Sequence, residues 1–408
     1  MNYYDNKETR SHDERVGSYN AVLPKVLNNA VRYSPSYKQL YKGIDLNAVQ
    51  TIDELPNLPV LRKSDIAKLQ GKVPPLGGLN KHSVNHYDYI FQSPGPLYEP
   101  GNFTNDWWGV GRFLFACGIG QGDIVQNCFS YHLTPAGHIF ESGARAVGAT
   151  VIPAGTGNTE LQVRVAHDIG ATGYAGTPDY LKVILDKAES MGIDLSSITK
   201  AGVGGGPLFP SLRQAYADRG IKCLQNYATA EVGNIAYETL PDVGLIIDEN
   251  VIVEILQPGS GHPVEEGEIG EVVVTTLNFD FPLIRFATGD LSSFLPGISD
   301  CGRTNVRLSG WKGRADQTTK VKGLFVRPEQ LANFKEKHPE VIKIRAVVTR
   351  NNDQDILTVK LETPQSGATH QYQNSLREIL RLGVSIDIVS KGTLPNDGLV
   401  IDDQRKFE

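Results

Sequence analysis

Between residues 107 and 225 the apolar positions switch repeatedly between two spacings. Helical spacing runs through "WWGVGRFLFACG", "HIFESGARAVG", "ELQVRVAHDIG", "YLKVILDKAESMG" and "SLRQAYADRG". Short extended runs, "DIVQNCF", "TVIPAG", "GYAGTP", "KAGVGG" and "KCLQNY", fall between them. Strand and helix alternating at this interval is the pattern of right-handed βαβ units wrapped on a mostly parallel sheet. Ahead of this region, Leu23, Val26, Leu27 and Ala30 share one helical stripe, and the proline-punctuated "IDELPNLPVLRKSDI" leads into another short helix.

The pattern changes after residue 243. "GLIIDENVIVEILQP" and "GEIGEVVVTTLN" are strand-like runs broken by turn residues, which predicts a distorted, barrel-like antiparallel sheet. Near the C-terminus, strands at "VIKIRAVVTR" and "DILTVKLET" flank the turn "NNDQ". A helix with Tyr372, Leu376, Ile379 and Leu380 on one stripe follows, ended by Gly383, and the strand "VSIDIV" comes after it. A chain of 408 residues exceeds what one core holds. The expectation is an α/β protein with a large domain over 1–312 and a small, mobile α+β domain over 313–408, hinged near residue 313.

Composition narrows the function classes. A hydrophobic fraction of 40% and a charged fraction of 21% describe an ordinary folded protein. The 40 basic and 46 acidic residues leave a formal charge of -6 with no basic face, which argues against a nucleic-acid partner. The N-terminal twenty residues are polar and no window reaches membrane-span length, so no membrane partner and a cytoplasmic location are expected. Cys117, Cys128, Cys223 and Cys301 form no C-x-x-C pair and read as buried packing residues.

Four stretches can carry chemistry. "NYATAEVGN" leaves a predicted strand and places Glu231 where ligands bind on open α/β sheets, as a carboxylate for a phosphate-bound metal or as part of a solvated loop. "FPLIRFATGDLSSF" ends a strand in Gly289 and Asp290; an ionised carboxylate accepts both hydroxyls of a ribose, and an ordinary turn would look the same. "GWKGRADQTTKVKGLFVRPEQL" brings Arg314 and Asp316 to the domain junction. "AGVGGGPLFPSLRQ" sets Gly204, Gly205 and Gly206 after a short strand, where absent side chains let a flat ring lie on the backbone.

Taken in this order, the stretches resemble the adenylate-forming ligase superfamily, and within it the phenylacetate–CoA ligase family. The family's "YGLTE"-like loop resembles Tyr227 to Glu231, its "RTGDL" resembles "FATGDL", and its Cys-Gly-Arg-Thr turn resembles "CGRT" at 301 to 304. Its hinge segment looks like Gly313 to Pro328, and "VIPAGTGNTELQ" and "GTPDYL" also look like family segments. The resemblance implies a two-step ligase using ATP, Mg2+ and CoA: a small carboxylic acid, aromatic acids included, becomes an acyl adenylate and then a thioester. It implies Glu231 as the magnesium and catalytic carboxylate and Asp316 as the hinge. Ser93, Gly95, Gly204 to Gly206, Tyr227, Thr229, Asp290, Arg303 and Arg314 would surround the nucleotide. His132, His138, Gly176 and Thr177 would line the acyl pocket, and a homodimer is compatible with the family.

Three departures fall on phosphate handling. The family's phosphate loop reads Ser-Ser-Gly-Thr-Thr-Gly-Lys-Pro, and "SPGPLYEP" at 93 to 100 keeps Ser93, Gly95 and Pro100 but has Glu99 where the lysine belongs. Ala230 replaces the hydroxyl residue before the metal glutamate, and Leu399 follows Gly398 where the C-terminal lysine would stand. Proline offers no N–H to a phosphate, and an anion for a cation reverses the sign of the pairing. Three readings stay open: a ligase with a rearranged phosphate site, an ATP-independent enzyme acting on a preformed adenylate or thioester, and a non-catalytic nucleotide- or acyl-binding protein.

Overall fold

The computed structural model describes residues 2–93, 97–103, 106–315, 317–321, 324–351, 354–364, 369–395 and 399–405. It is an α/β fold with large mixed sheets. Contacts divide it into two compact units, the first holding residues 1–253, 274–286 and 295–310, the second 254–273, 287–294 and 311–408.

In the first unit the alternating segments became strands and helices where the spacing predicts them. Pro178–Met191 shows why: Pro178 starts it, Gly192 ends it in the left-handed region, and Leu181, Ile184, Leu185 and Ala188 form its buried stripe. Among the described residues nine strands make one sheet. Its order is Phe294–Leu295, Arg307–Leu308, Leu245–Ile247, Gly233–Tyr237, Lys222–Thr229, Lys200–Val203, Gly173–Gly176, Ile124–Asn127, Thr150–Pro153. The last five run parallel to one another. From Lys222–Thr229 outward the pairing turns antiparallel through Gly233–Tyr237, Leu245–Ile247 and Arg307–Leu308. The sheet is therefore mixed, and the connections from 229 to 233 and from 237 to 245 are too short for a helical crossover.

The carboxyl ends of Gly173–Gly176, Lys200–Val203 and Lys222–Thr229 lie side by side, which brings residues 176–177, 204–206 and 227–231 to one rim. Another sheet, in the order Leu61–Arg62, Phe286–Ser292, Gly270–Thr276, Val251–Leu256, holds Asp290 within a strand that continues to Ser292 rather than ending at the Gly-Asp pair.

The N-terminal segment is tied to this body by buried charge. Glu8 is 1% exposed and accepts from Arg303 Nε at 2.7 Å and from the Tyr237 hydroxyl at 2.7 Å. Arg15, also buried, donates to Glu249 at 3.0 Å.

In the second unit, Ser385–Val389, Gln354–Glu362, Lys343–Asn351 and Ile401–Asp403 form a sheet in that order. Pro328–Lys337 and Thr369–Leu380 supply Leu331, Phe334, Tyr372, Leu376 and Leu380 to the cluster beneath it. All four cysteines are buried free thiols. No helix of the described residues is long and apolar enough to cross a membrane.

Removing one partner of a buried ion pair leaves an uncompensated charge, at a cost of about 3–5 kcal/mol. Arg303→Ala is therefore expected to lower stability by that amount. A urea-denaturation midpoint indistinguishable from wild type would show that Glu8 does not depend on it.

Candidate active site

The segment holding the altered phosphate loop is a hairpin. Strands Tyr89–Gln92 and Tyr98–Gly101 pair antiparallel with Phe91 opposite Glu99. Side chains alternate between faces along a strand, and Leu97 at 1% and Glu99 at 3% exposure turn inward while Tyr98 faces out. Gln70 holds the hairpin's second strand, its amide donating to the Tyr98 carbonyl at 2.8 Å and its carbonyl accepting the Tyr98 N–H at 2.9 Å. Ser93 donates its hydroxyl to Glu99 Oε1 at 2.8 Å. The remaining oxygen, Oε2, is buried with no partner. Gly95 lies outside the described residues.

Burial pushes the Glu99 carboxyl up to about 8, the Ser93 hydroxyl pulls against it, and the charge of Glu231 adds to the rise. Lys63 is the cation that lowers it. The Lys63 ammonium sits 2.8 Å from Glu231 Oε1, and the Glu231 side chain is only 5% exposed. Glu231 Oε2, like Glu99 Oε2, is buried without a partner. Two buried carboxyl groups thus feel one partly exposed ammonium, which pairs with Glu231, and the most economical state keeps one proton on Glu99.

The glycine run forms a tight rim. Gly204 donates its N–H to the Gly176 carbonyl at 3.2 Å. A Cβ on Gly204 would stand 2.3 Å from Asn226 Oδ1, so only glycine fits that approach. Asn226 Oδ1 is itself buried and unpartnered, while its amide nitrogen donates to Asn234 at 3.0 Å. Gly176, Thr177 and Gly204 to Gly206 come together as the sequence motifs suggest, with Tyr227 on the adjoining strand. Thr229 accepts the Val232 N–H at 3.2 Å and so shapes the loop around Glu231.

In the second unit, Asp290 Oδ1 accepts from Arg314 Nη1 at 2.8 Å and from the Trp311 indole at 3.1 Å. A Cβ on Gly289 would meet Arg314 Nη2 at 2.7 Å, so the glycine preceding the aspartate gives the guanidinium its room. Asp316 lies outside the described residues. Arg303 is held by Glu8 and is 3% exposed, which gives it a structural partner.

The two histidines part company. His132 is exposed, its N–H donated to the Ser130 hydroxyl at 3.3 Å. His138, on the helix Ala136–Ala146, packs against the rings of Tyr89, Phe91 and Tyr131, with centroids 4.6, 5.2 and 5.1 Å away. Burial holds its imidazole below the ordinary histidine range.

A family model for AMP-binding enzymes matches residues 113–278. Phenylacetate-coenzyme A ligase of Aromatoleum evansii is 32% identical over 373 residues, spanning 87% of this chain and 83% of that protein. The chain belongs to the phenylacetate–coenzyme A ligase family of AMP-binding enzymes. Another relative, phenylacetate-coenzyme A ligase of Thermus thermophilus, is 27% identical over 383 residues, 90% of this chain and 85% of that protein. The fold matches the crystal structure of an open conformation of 2-hydroxyisobutyryl-CoA ligase, with a TM-score of 0.72 at 20% identity over 95% of this chain and 91% of that one. For a member of the phenylacetate–CoA ligase family, the inward carboxyl of Glu99 and its neighbour Lys63 are the unexpected parts of the site. No motif joins residue 63 to residue 99; only the apolar–polar alternation of Leu97, Tyr98 and Glu99 hinted that the glutamate faces inward.

Glu99 has a folded-state value of about 8 against an ordinary 4.5. The folded chain therefore keeps this proton after the unfolded chain has lost it, and stability falls as pH rises between those values. Glu99→Gln removes the charge but keeps the shape. The variant is expected to match wild type near pH 5 and to exceed it by about 1–3 kcal/mol near pH 8.5, read by urea denaturation across pH; a gap that does not change with pH would contradict this.

Proposed function

We propose that the chain performs the thiol half of acid–thiol ligation, binding an acyl adenylate and passing its acyl group to coenzyme A. The acyl group comes from small carboxylic acids, aromatic ones included, as the names of the relatives suggest. In the transfer the thiol sulfur bonds to the acyl carbon, the bond from that carbon to the adenylate oxygen breaks, and AMP leaves while the thiol proton passes to solvent. Residues 1–312 would hold the nucleotide and acyl group. Residues 313–408 would form a mobile domain turning near Gly313 and Asp316.

The observation that carries this reading is Glu99, buried against Ser93 where the family has a phosphate-binding lysine. A protonated Glu99 offers a triphosphate no cation at that loop, so the favourable pairing a lysine would supply at ~4 Å, on the order of 1 to 4 kcal/mol, is missing. An acyl adenylate presents a single phosphate. For it the chain keeps the rim of Gly204 to Gly206, where an adenine would lie on bare backbone, and the Asp290 carboxylate for the ribose.

Magnesium in such sites is held by one or two carboxylates together with substrate phosphates. Glu231 is already engaged by Lys63, and among the described residues no group of three or more His, Cys, Asp or Glu side chains is arranged for a metal ion. With the phosphate-binding lysine also replaced, these residues do not fit a metal–triphosphate pair, and no step is assigned to it.

One observation favours complete ATP-driven ligation instead: Lys63 supplies an ammonium beside Glu231. The readings separate in one assay. With phenylacetyl adenylate and CoA, thioester and AMP are expected; with phenylacetate, ATP and CoA, pyrophosphate release is expected to be at least about 100-fold slower. Comparable rates would establish the complete ligase, and no thioester from the adenylate would sink the proposal. Glu99→Lys is expected to raise ATP-dependent pyrophosphate release by about tenfold, and an unchanged rate would mean that this position does not face the phosphates.

A further inference from the structure

Glu231 also lines a cavity of about 370 Å³ whose wall includes Trp107, Trp108, Phe281, Asp106 and Asp248. That volume lies in the range of small-molecule sites. Among the described residues no lysine, arginine or histidine lines it.

The negative charge on this wall is only partly matched. Asp248 lies 3.3 Å from Arg112 Nη1, and Arg112 is shared with Asp5. Asp106 accepts backbone N–H groups from Val110 at 2.9 Å and Gly111 at 2.7 Å, with Arg112 as a cation acting on it. Glu231 has Lys63 on one oxygen, and that lysine also answers Glu99. The other Glu231 oxygen is buried without a partner although the side chain is 5% exposed. Burial pushes Asp106 up to about 6 and raises Asp248 as well, with Arg112 pulling both the other way.

We propose that this cavity binds a small organic cation, an amine or quaternary ammonium, with its charge on Glu231 and Asp106 and its carbons against Trp107 and Trp108. Aromatic faces attract weakly hydrated cations, and a carboxylate with a free oxygen supplies the countercharge. A phosphate would meet three carboxylates. A hydrated metal ion would gain nothing from indole walls and would find no group of three metal-ligating side chains among the described residues. The cavity shares Glu231 with the candidate active site, but binding there requires neither nucleotide nor thiol.

The test is intrinsic fluorescence, because two of the three tryptophans line the cavity and the third, Trp311, is removed by Trp311→Phe. The Trp311→Phe protein is titrated with n-butylammonium and tetramethylammonium chlorides, against sodium chloride, magnesium chloride and sodium phosphate at matched ionic strength. A saturable change with an organic cation is expected, with its apparent Kd raised about tenfold or more by Glu231→Gln and by Asp106→Asn, one lost charge contact being worth that much. Circular dichroism checks both variants, and if Asp106→Asn does not fold, Glu231→Gln decides. No saturable response to either organic cation, tighter binding of magnesium or phosphate, or an affinity unchanged in the folded variants would overturn the proposal.

Discussion

The strands around Glu99 depend on two buried carboxyl groups acted on by one ammonium. Glu99 and Glu231 are both withdrawn from water, each has an oxygen with no partner, and Lys63, paired with Glu231, is the cation that lowers Glu99. With both ionised, the repulsion and the desolvation act together. With a proton on Glu99, one carboxylate and one ammonium balance, and the Ser93–Glu99 hydrogen bond closes the hairpin over Leu97 in the core.

That arrangement gives one of the three departures in the sequence, Glu99, a physical meaning. The position where the family has a phosphate-binding lysine is neutral at neutral pH and anionic above it. The rim at Gly204 keeps its forced closeness to Asn226, and Asp290 keeps its Arg314 and Trp311 partners. Fold and family therefore persist while the cation at position 99 is replaced. Glu231 also lines the acidic, aromatic cavity.

Much of this was legible in the sequence, for identifiable reasons. The parallel strands and their helices were visible because each helix must bury one stripe, as Leu181, Ile184, Leu185 and Ala188 do. Gly204 stood out because a run of three glycines exceeds what a plain strand-to-helix turn needs, whereas Gly289–Asp290 read equally well as an ordinary turn. Partners set by tertiary contact were not. Lys63 lies in a helix joined to Glu231 by no motif, Arg303 matched a family turn yet is held by Glu8 from the polar N-terminal segment, and His132 proved exposed while His138 sits among aromatic rings. The strand Ile401–Asp403, parallel to Lys343–Asn351, is too short for its alternation to be seen in advance.

The central claim concerns one proton on one carboxyl group. Carbon-13 NMR of protein labelled at glutamate side-chain carboxyls, with Glu99→Gln to assign the missing resonance, follows that proton directly. The account predicts that the Glu99 resonance titrates near pH 8 and moves lower when Asn or Ala replaces Glu231. A Glu99 resonance titrating near the ordinary value of 4.5, unaffected by Glu231, would contradict it.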